Sequence, residues 1–489
     1  MMLIVLSIRG QNVDLAFHPD DIRVDVGDTF EVLDLPDRKD GVVAQVIEFS
    51  ALEHEGVKGE TIQRILEERL DSTHVVFDAE RGMSLLRGIK VAHAKIRREV
   101  RDGEWRAWTG YVPSRHAAVG SVATEDLIER VVPRPRVPLA PFLHAGDIPI
   151  PLGGEGLDKI AVLAAAKGRG KSHVMKLIVD RFAQRGVGCT VFDINGEYTR
   201  IPGAHALRWG DNFLPRLGQT GPGLLLSVIR SLCPPPPGSP TESLLESRLK
   251  TLFRAHRERR EGELTLPWLR AQSWGGAGEL VERAVDSRLR QIEDTGLFWT
   301  EAAPKDAYTD LRALHEETVA GRPLVFDMSR LEARMQSTLV TALIRHIEAT
   351  CEREEQSGRG AYPVCVFEEA HEYLSPTAVE RIVGRCRHLG LSQFYVSLNP
   401  SGIPPFVLRA CDNLILLGLT NAEDIKALAR TTGLDGDSLE SMAVRVPAHH
   451  ALLVGNVTGG FPILTAVDDL PADVPRSGIT RSVWDRFDK

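Results

Sequence analysis

The chain has 489 residues, room for one large domain and one or two smaller ones, and its 43% hydrophobic and 26% charged content is ordinary for a folded protein. A net charge of −8 excludes a bulk basic surface for nucleic acid but leaves room for a local basic channel. The six cysteines form no CxxC pair, the fifteen histidines form no HExxH, and no apolar run approaches membrane-spanning length. A disulfide scaffold, a zinc site and a membrane span are therefore set aside, and a cytoplasmic location is expected.

In chain order, residues 1 to about 130 read as β-rich. Segments 29–35 and 42–49 are rich in strand formers and flank a polar turn. Segments 90–100 and 105–112 flank Arg101-Asp102-Gly103-Glu104, a strong hairpin signal. A helix is predicted over 61–70. Short strands with turn punctuation suggest a small barrel. The hairpin carries Arg97, Arg98, Arg101 and Arg106 with Trp105 and Trp108. A nucleic-acid surface is one reading of it; a solvated face with aromatic packing behind is the preferred one. Residues 131–152 are Pro-rich and read as an extended linker. The core is expected over 153–470, followed by a tail, 471–489.

The core opens on Ala165-Ala166-Lys167-Gly168-Arg169-Gly170-Lys171-Ser172. An apolar run precedes it and an amphipathic segment, 173–182, follows. This is the strand–loop–helix setting of a Walker A loop, in which backbone N–H groups and the helix N-terminus cradle phosphates. Lys171 then reaches the β/γ-phosphates and Ser172 holds Mg²⁺, so ATP and Mg²⁺ are the expected cofactors. Lys167, Gly168, Arg169, Gly170 and His173 complete the phosphate-binding stretch. Ala165 stands where the usual pattern has glycine.

A second strand, 189–192, ends in Asp193-Ile194-Asn195-Gly196-Glu197-Tyr198. A short strand over 206–209 leads into a Pro-broken, charged, helical region, read as an insertion over about 213–318. A buried strand returns at 323–326, and Leu339, Leu343 and Ile347 give the next segment one apolar helix stripe. Apolar residues 362–367 then run into Glu368-Glu369-Ala370-His371-Glu372. A strand ending in paired acids fits Walker B work: one acid supports the Mg²⁺ shell and the next polarises the attacking water. Glu368 stands where Asp is usual. Helices near 378–388 and 422–432 alternate with strands at 393–398, 413–417, 451–454 and 461–465. Such alternation means a parallel sheet covered on both faces, an α/β fold.

The order of these motifs resembles the HerA-type hexameric DNA translocases, relatives of the FtsK ATPases. Asp193-Ile194-Asn195-Gly196-Glu197-Tyr198 is similar to that family's acid-x-His-Gly-Glu-Tyr turn, with Asn195 in place of His. Leu324-Val325-Phe326-Asp327-Met328-Ser329 resembles its strand before a long helix, and Phe367-Glu368-Glu369-Ala370-His371 its Asp-Glu-Ala-His box. Gly384-Arg385-Cys386-Arg387-His388-Leu389-Gly390 resembles its Gly-Arg-Lys-x-Gly segment. Ser397-Leu398-Asn399-Pro400 resembles the sensor strand, with Asn399 where Gln is common.

The resemblance implies a RecA-like P-loop ATPase core with a helical insertion and a small N-terminal β-barrel. It implies Glu369 as catalytic base, Glu368 as a metal-shell acid and Asn399 as γ-phosphate sensor. Arg387 or Arg385 would be an arginine finger reaching the neighbouring subunit; a salt-bridged helix surface is the other reading of both. Asp193 and Glu197 would border the nucleotide, unless Glu197 is simple polar surface. Lys159 falls where the family often has a basic residue near the subunit boundary. The implied partners are five further copies in a homo-hexamer, DNA through the central channel, and a NurA-like nuclease or a defence effector docked on the barrel. The implied function is ATP-driven translocation in DNA end processing or anti-phage defence. The four departures at Ala165, Asn195, Glu368 and Asn399 motivate an alternative: a nucleotide-dependent ring scaffold that holds an effector without moving DNA. An ATPase acting on protein substrates is a remoter reading.

Overall fold

The computed structural model describes residues 3–476 except 36, 52–88, 115, 154–155, 158, 260–261, 276–277, 359–363, 375, 430 and 432–433. The helix expected over 61–70 lies outside the described residues. The chain divides into two compact units.

One unit comprises Met1–Pro135, Pro141–Pro151 and Leu416–Val467. Its main sheet runs in the order Ile4–Arg9, Asn12–Phe17, Lys90–Arg101, Gly41–Ala51, Thr29–Leu33, Ala118–Ser121, every neighbour antiparallel. Successive strand residues face opposite sides, and one side gathers Val13, Leu15, Val42, Ala44, Ala92 and Ile96 into a core. The hairpin forms as its sequence demands. Glu104–Arg106 folds back on Lys90–Arg101 through Asp102 (φ 52°) and Gly103 (φ 81°), the double positive φ of a tight turn. The pairing describes an open sheet rather than the closed barrel expected: its end strands, Ile4–Arg9 and Ala118–Ser121, share no ladder among the described residues. The same unit contains a small antiparallel set, His450–Gly455, Ile463–Val467, Leu143–Ala145 and Ile148–Pro149.

The solvated-face reading of the arginine hairpin fails at Arg97. Its side chain is only 5% exposed and pairs with Asp435 at 3.1 Å. Its Nε also donates to Gln45 Oε1 at 3.2 Å. Lys95 approaches Asp435 and Asp437 at 3.4 and 3.3 Å. Asp435 caps the helix Gly436–Val444, accepting the Ser438 N–H at 3.0 Å. That helix, remote in sequence, brings carboxylates to the face that local patterning assigns to water. Arg106, by contrast, is exposed.

The second unit comprises Arg136–Ala140, Leu152–Ile415 and Asp468–Lys489. Its strands lie in the order His205–Arg208, Leu324–Asp327, Cys189–Asp193, Val364–Phe367, Ser392–Ser397, Ile160–Ala164, Asn413–Leu416. The first six are joined by parallel ladders. Ile160–Ala164, Cys189–Asp193 and Val364–Phe367 are buried at every position, the continuous apolar run of a sheet covered on both faces. Between His205–Arg208 and Leu324–Asp327 lie the helices Leu217–Leu232, Pro240–Arg259, Leu266–Arg270, Glu279–Asp294 and Leu311–Val319. Amphipathic stripes hold these helices together, with Leu245, Leu249 and Leu252 on one and Val285, Leu289 and Ile292 on another. The architecture is α/β.

Candidate active site

In an open parallel sheet, ligands bind beyond the carboxyl ends of the strands. Here Ile160–Ala164, Cys189–Asp193, Val364–Phe367 and Ser392–Ser397 deliver most of the motif residues to one end. The loop after Ile160–Ala164 turns on Gly168 (φ 79°) and Gly170 (φ 94°), and Gly170 is the N-cap of the helix Lys171–Arg185. Both glycines hold left-handed backbone that other residues rarely adopt. Lys167 and Arg169 are exposed on the loop. Ala165 is different: it is fully buried, its φ is not positive, and its N–H donates to Ser397 O at 3.4 Å. It continues the strand, so a glycine is not required there.

Lys171 turns inward. Its Nζ forms ion pairs with Glu368 and, at 2.9 Å, with Glu369 Oε1. Burial opposes its charge, but the two carboxylates outweigh burial and hold its pKa above the ordinary value. Glu368 is fully buried, and that burial pushes its carboxyl up to about 7 against the pull of Lys171. Tyr198, also fully buried, donates its hydroxyl to Glu368 Oε2 at 2.6 Å. The Glu368 carboxylate is thus held between a lysine on one oxygen and a tyrosine on the other.

Glu369 has φ 47° and ψ 48°, left-handed backbone at a non-glycine residue, which marks it as a constrained position. Its Oε2 accepts the Leu398 N–H at 3.2 Å and lies 3.6 Å from His371 Nδ1. His371 Nδ1 also meets Ser397 Oγ at 2.8 Å, and Ser397 Oγ accepts the Asn399 N–H at 3.0 Å. The sensor-strand segment and the paired acids are therefore one hydrogen-bonded assembly. The Asn399 side chain is exposed and accepts a bond from Ser401 Oγ at 2.7 Å.

Other expected residues are engaged elsewhere. Asp193 Oδ1 accepts the N–H groups of Asn195, Gly196 and Glu197, and Oδ2 accepts that of Tyr198 at 2.8 Å. Burial lifts its carboxyl to about 6, opposed by those backbone donors. Each of these bonds serves its own turn, and together they aim Tyr198 at Glu368. Arg385 is ion-paired with Glu352. Arg387 is 75% exposed and 3.4 Å from Asp412. His173 Nε2 donates to the Asp468 backbone carbonyl at 2.7 Å. Lys159 has φ 74° just before the P-loop strand, and its carbonyl accepts the Gln393 N–H.

Sequence reasoning gave no role to Tyr198, His371 or Ser397, although all three stand within the motifs. Lys176 it passed over. The helical period could have flagged a lysine set among Val174, Met175, Leu177 and Ile178, all buried. For a divalent cation, Ser172 and Glu368 offer oxygen donors only, the chemistry Mg²⁺ takes. Glu369, His371 and Glu372 bring three donor atoms within 4.8 Å of one another, but this set includes an imidazole.

Residues 141–219 match the family model for the helicase HerA, central domain. That stretch of the core is similar to the HerA central domain. The DNA double-strand break repair helicase HerA of Sulfolobus acidocaldarius is 23% identical over 354 residues, covering 64% of this chain and 65% of the relative. The protein of the same description from Saccharolobus solfataricus is 22% identical over 349 residues, covering 63% and 64%. The chain thus spans just under two thirds of the length of these HerA relatives. Among solved structures, VirB4 of Thermoanaerobacter pseudethanolicus shares the fold, with a TM-score of 0.51 at 16% identity over 70% of this chain and 99% of that one. The HerA central-domain match contains Lys171, Ser172 and the Asp193–Tyr198 turn, and ends before Glu368. The Lys171 ion pairs and the Tyr198 hydrogen bond link the two acids to it. No helix among the described residues is long and apolar enough to cross a membrane.

Proposed function

We propose that this protein is an ATP-driven DNA motor of the HerA type. One observation carries the reading: the P-loop lysine, Lys171, bridges Glu368 and Glu369 beneath a glycine turn shaped to hold phosphates. The HerA-type relatives support the DNA substrate. ATP phosphates would lie against the loop N–H groups and the start of the helix Lys171–Arg185. A phosphate competing for Lys171 releases Glu369 from its ion pair. Glu369, held by the Leu398 N–H, is then free to polarise the attacking water. Ser172 and Glu368 would hold Mg²⁺, which neutralises charge developing on the phosphates. Asn399 would read the γ-phosphate. Asp193 and Glu197 would shape the wall of the site rather than react.

The trans finger we assign to Arg387, because Arg385 is engaged by Glu352 while Arg387 is exposed. A finger supplied by a neighbour makes turnover depend on assembly, so the working form is a ring, a homo-hexamer. DNA would pass through its channel by phosphate contacts, sequence-independent and salt-sensitive. The N-terminal sheet would dock a nuclease for DNA end processing or an effector for anti-phage defence, in the cytoplasm. A second reading, the ring scaffold without translocation, is favoured by the engagement of Glu368 with Tyr198 and of Asn399 with Ser401.

The test is steady-state ATP hydrolysis with and without duplex DNA. Glu369→Gln is expected to lower turnover about a hundredfold or more while ATP still binds. Turnover that rises with DNA and falls with salt supports the motor. Turnover indifferent to DNA supports the scaffold, and wild-type hydrolysis by Glu369→Gln removes Glu369 from its role.

A further inference from the structure

Beside the P-loop helix lies a second cleft, about 440 Å³, at the carboxyl ends of Cys189–Asp193 and Leu324–Asp327. Its charged lining consists of Lys176, Glu197, Arg200, Arg208, Asp327, Arg330 and Arg476. Several of these charges are paired within the protein. Arg208 is held by Asp327, its Nε at 3.0 Å from Oδ2. Lys176 is 1% exposed, donates to Pro475 O at 2.8 Å, and offsets Glu197. Arg476 reaches only Asp469, at 3.9 Å. Arg200 and Arg330 are exposed and have no carboxylate partner among the described residues. The cleft is left with surplus guanidinium charge, in a protein of net charge −8.

We propose that this cleft is a second anion site and takes the phosphate of a nucleotide unit, in a nucleic-acid strand or free. Two planar forks, those of Arg200 and Arg330, match phosphate oxygens bidentately. Glu197 Oε2 is buried and has no hydrogen-bond partner. A ligand that also brings a donor, a sugar hydroxyl or a base amino group, satisfies it; bare phosphate does not. The position also joins the cleft to the ATP site. Lys176 Nζ lies 5.9 Å from the ring centre of Tyr198, whose hydroxyl holds Glu368. Lys176, in the wall of the cleft, therefore stands one side chain away from the acid that Tyr198 holds. This inference rests on the motor reading for the nature of its ligand, but the cleft does not depend on hydrolysis.

The experiment is fluorescence polarisation of a short fluorescein-labelled single-stranded oligonucleotide against the full chain at low salt, with pyrophosphate and AMP as competitors. It is repeated on Arg200→Ala/Arg330→Ala and on Arg200→Lys/Arg330→Lys. Both arginines are exposed, so thermal melting should stay at the wild-type midpoint. The alanine pair is expected to bind the oligonucleotide at least about tenfold more weakly, the lysine pair to recover part of the loss, and labelled ATP-analogue binding at the P-loop to persist. Displacement by AMP but not pyrophosphate assigns the site to free nucleotides as well as strands; displacement by neither assigns it to strands. Oligonucleotide binding by the alanine pair equal to wild type overturns the proposal. Absence of ATP turnover in the wild-type protein would overturn the motor reading alone and leave this site standing.

Discussion

At the residue scale, two of the departures from the usual motif letters, Ala165 and Glu368, have separate physical accounts. Ala165 lies in strand backbone, so its methyl meets no conformational penalty. Ala165→Gly is expected to leave ATP affinity and turnover within about twofold. It should lower stability by about 1 kcal/mol through lost burial and added chain entropy. A nucleotide titration and a urea melt check both parts. Glu368 is accommodated by what surrounds it: Lys171 on one oxygen and Tyr198 on the other. Asp193 was legible as a motif residue, but its use was not. A carboxylate before a Gly-containing turn reads equally as ligand or as turn anchor, and only the bonds to the N–H groups of residues 195–198 distinguish them.

At the element scale, strand and helix positions were largely legible because burial enforces periodicity. The P-loop strand, the acid-tipped strand and the insertion helices fall where their apolar patterns put them. The arginine hairpin shows the limit. Strand alternation gives a face, not its covering. The helix Gly436–Val444 covers that face, and Arg97 becomes buried and paired. Arg97→Ala should destabilise the protein by about 3 kcal/mol, because Asp435 and Gln45 lose a buried partner. Equilibrium urea unfolding measures this, and an unchanged midpoint would return Arg97 to the surface. Among the insertion helices and the long helix Ala333–Gln356, His315 and His346 each keep a buried Nε2 with no partner. Burial, the largest cause, holds both pKa values below the ordinary 6.5. The folded state then binds fewer protons than the unfolded one near that pH, so stability is lost as pH falls through about 6.5. Melting midpoints across that range should decline toward acid, and His315→Gln/His346→Gln should flatten the decline.

At the scale of the whole molecule, the proposed ring makes a prediction that a self-sufficient subunit does not. Arg387→Ala and Lys171→Ala are each expected to lack turnover alone. Mixed, they should recover part of it, because an intact site forms where a subunit retaining Lys171 meets a neighbour retaining Arg387. Hydrolysis measured across mixing ratios tests this, and no recovery at any ratio counts against a finger in trans. The division of the chain belongs to the same scale. Residues 416–467 cluster with the N-terminal sheet, although they follow the core strands in sequence. No local pattern carries that information, since strand formers look alike whichever sheet they join.

By itself the sequence determined the α/β alternation, the phosphate-loop turn, the paired acids and the helical insertion. Each is a local pattern in which spacing and residue type carry the physics. The tertiary structure alone decided which charges meet: Lys171 with Glu368 and Glu369, Tyr198 with Glu368, Arg385 with Glu352, and Arg97 with Asp435. These pairs join residues apart in the chain, and where the charge is buried, as at Lys171 and Arg97, it is stable only beside a partner that folding brings to it.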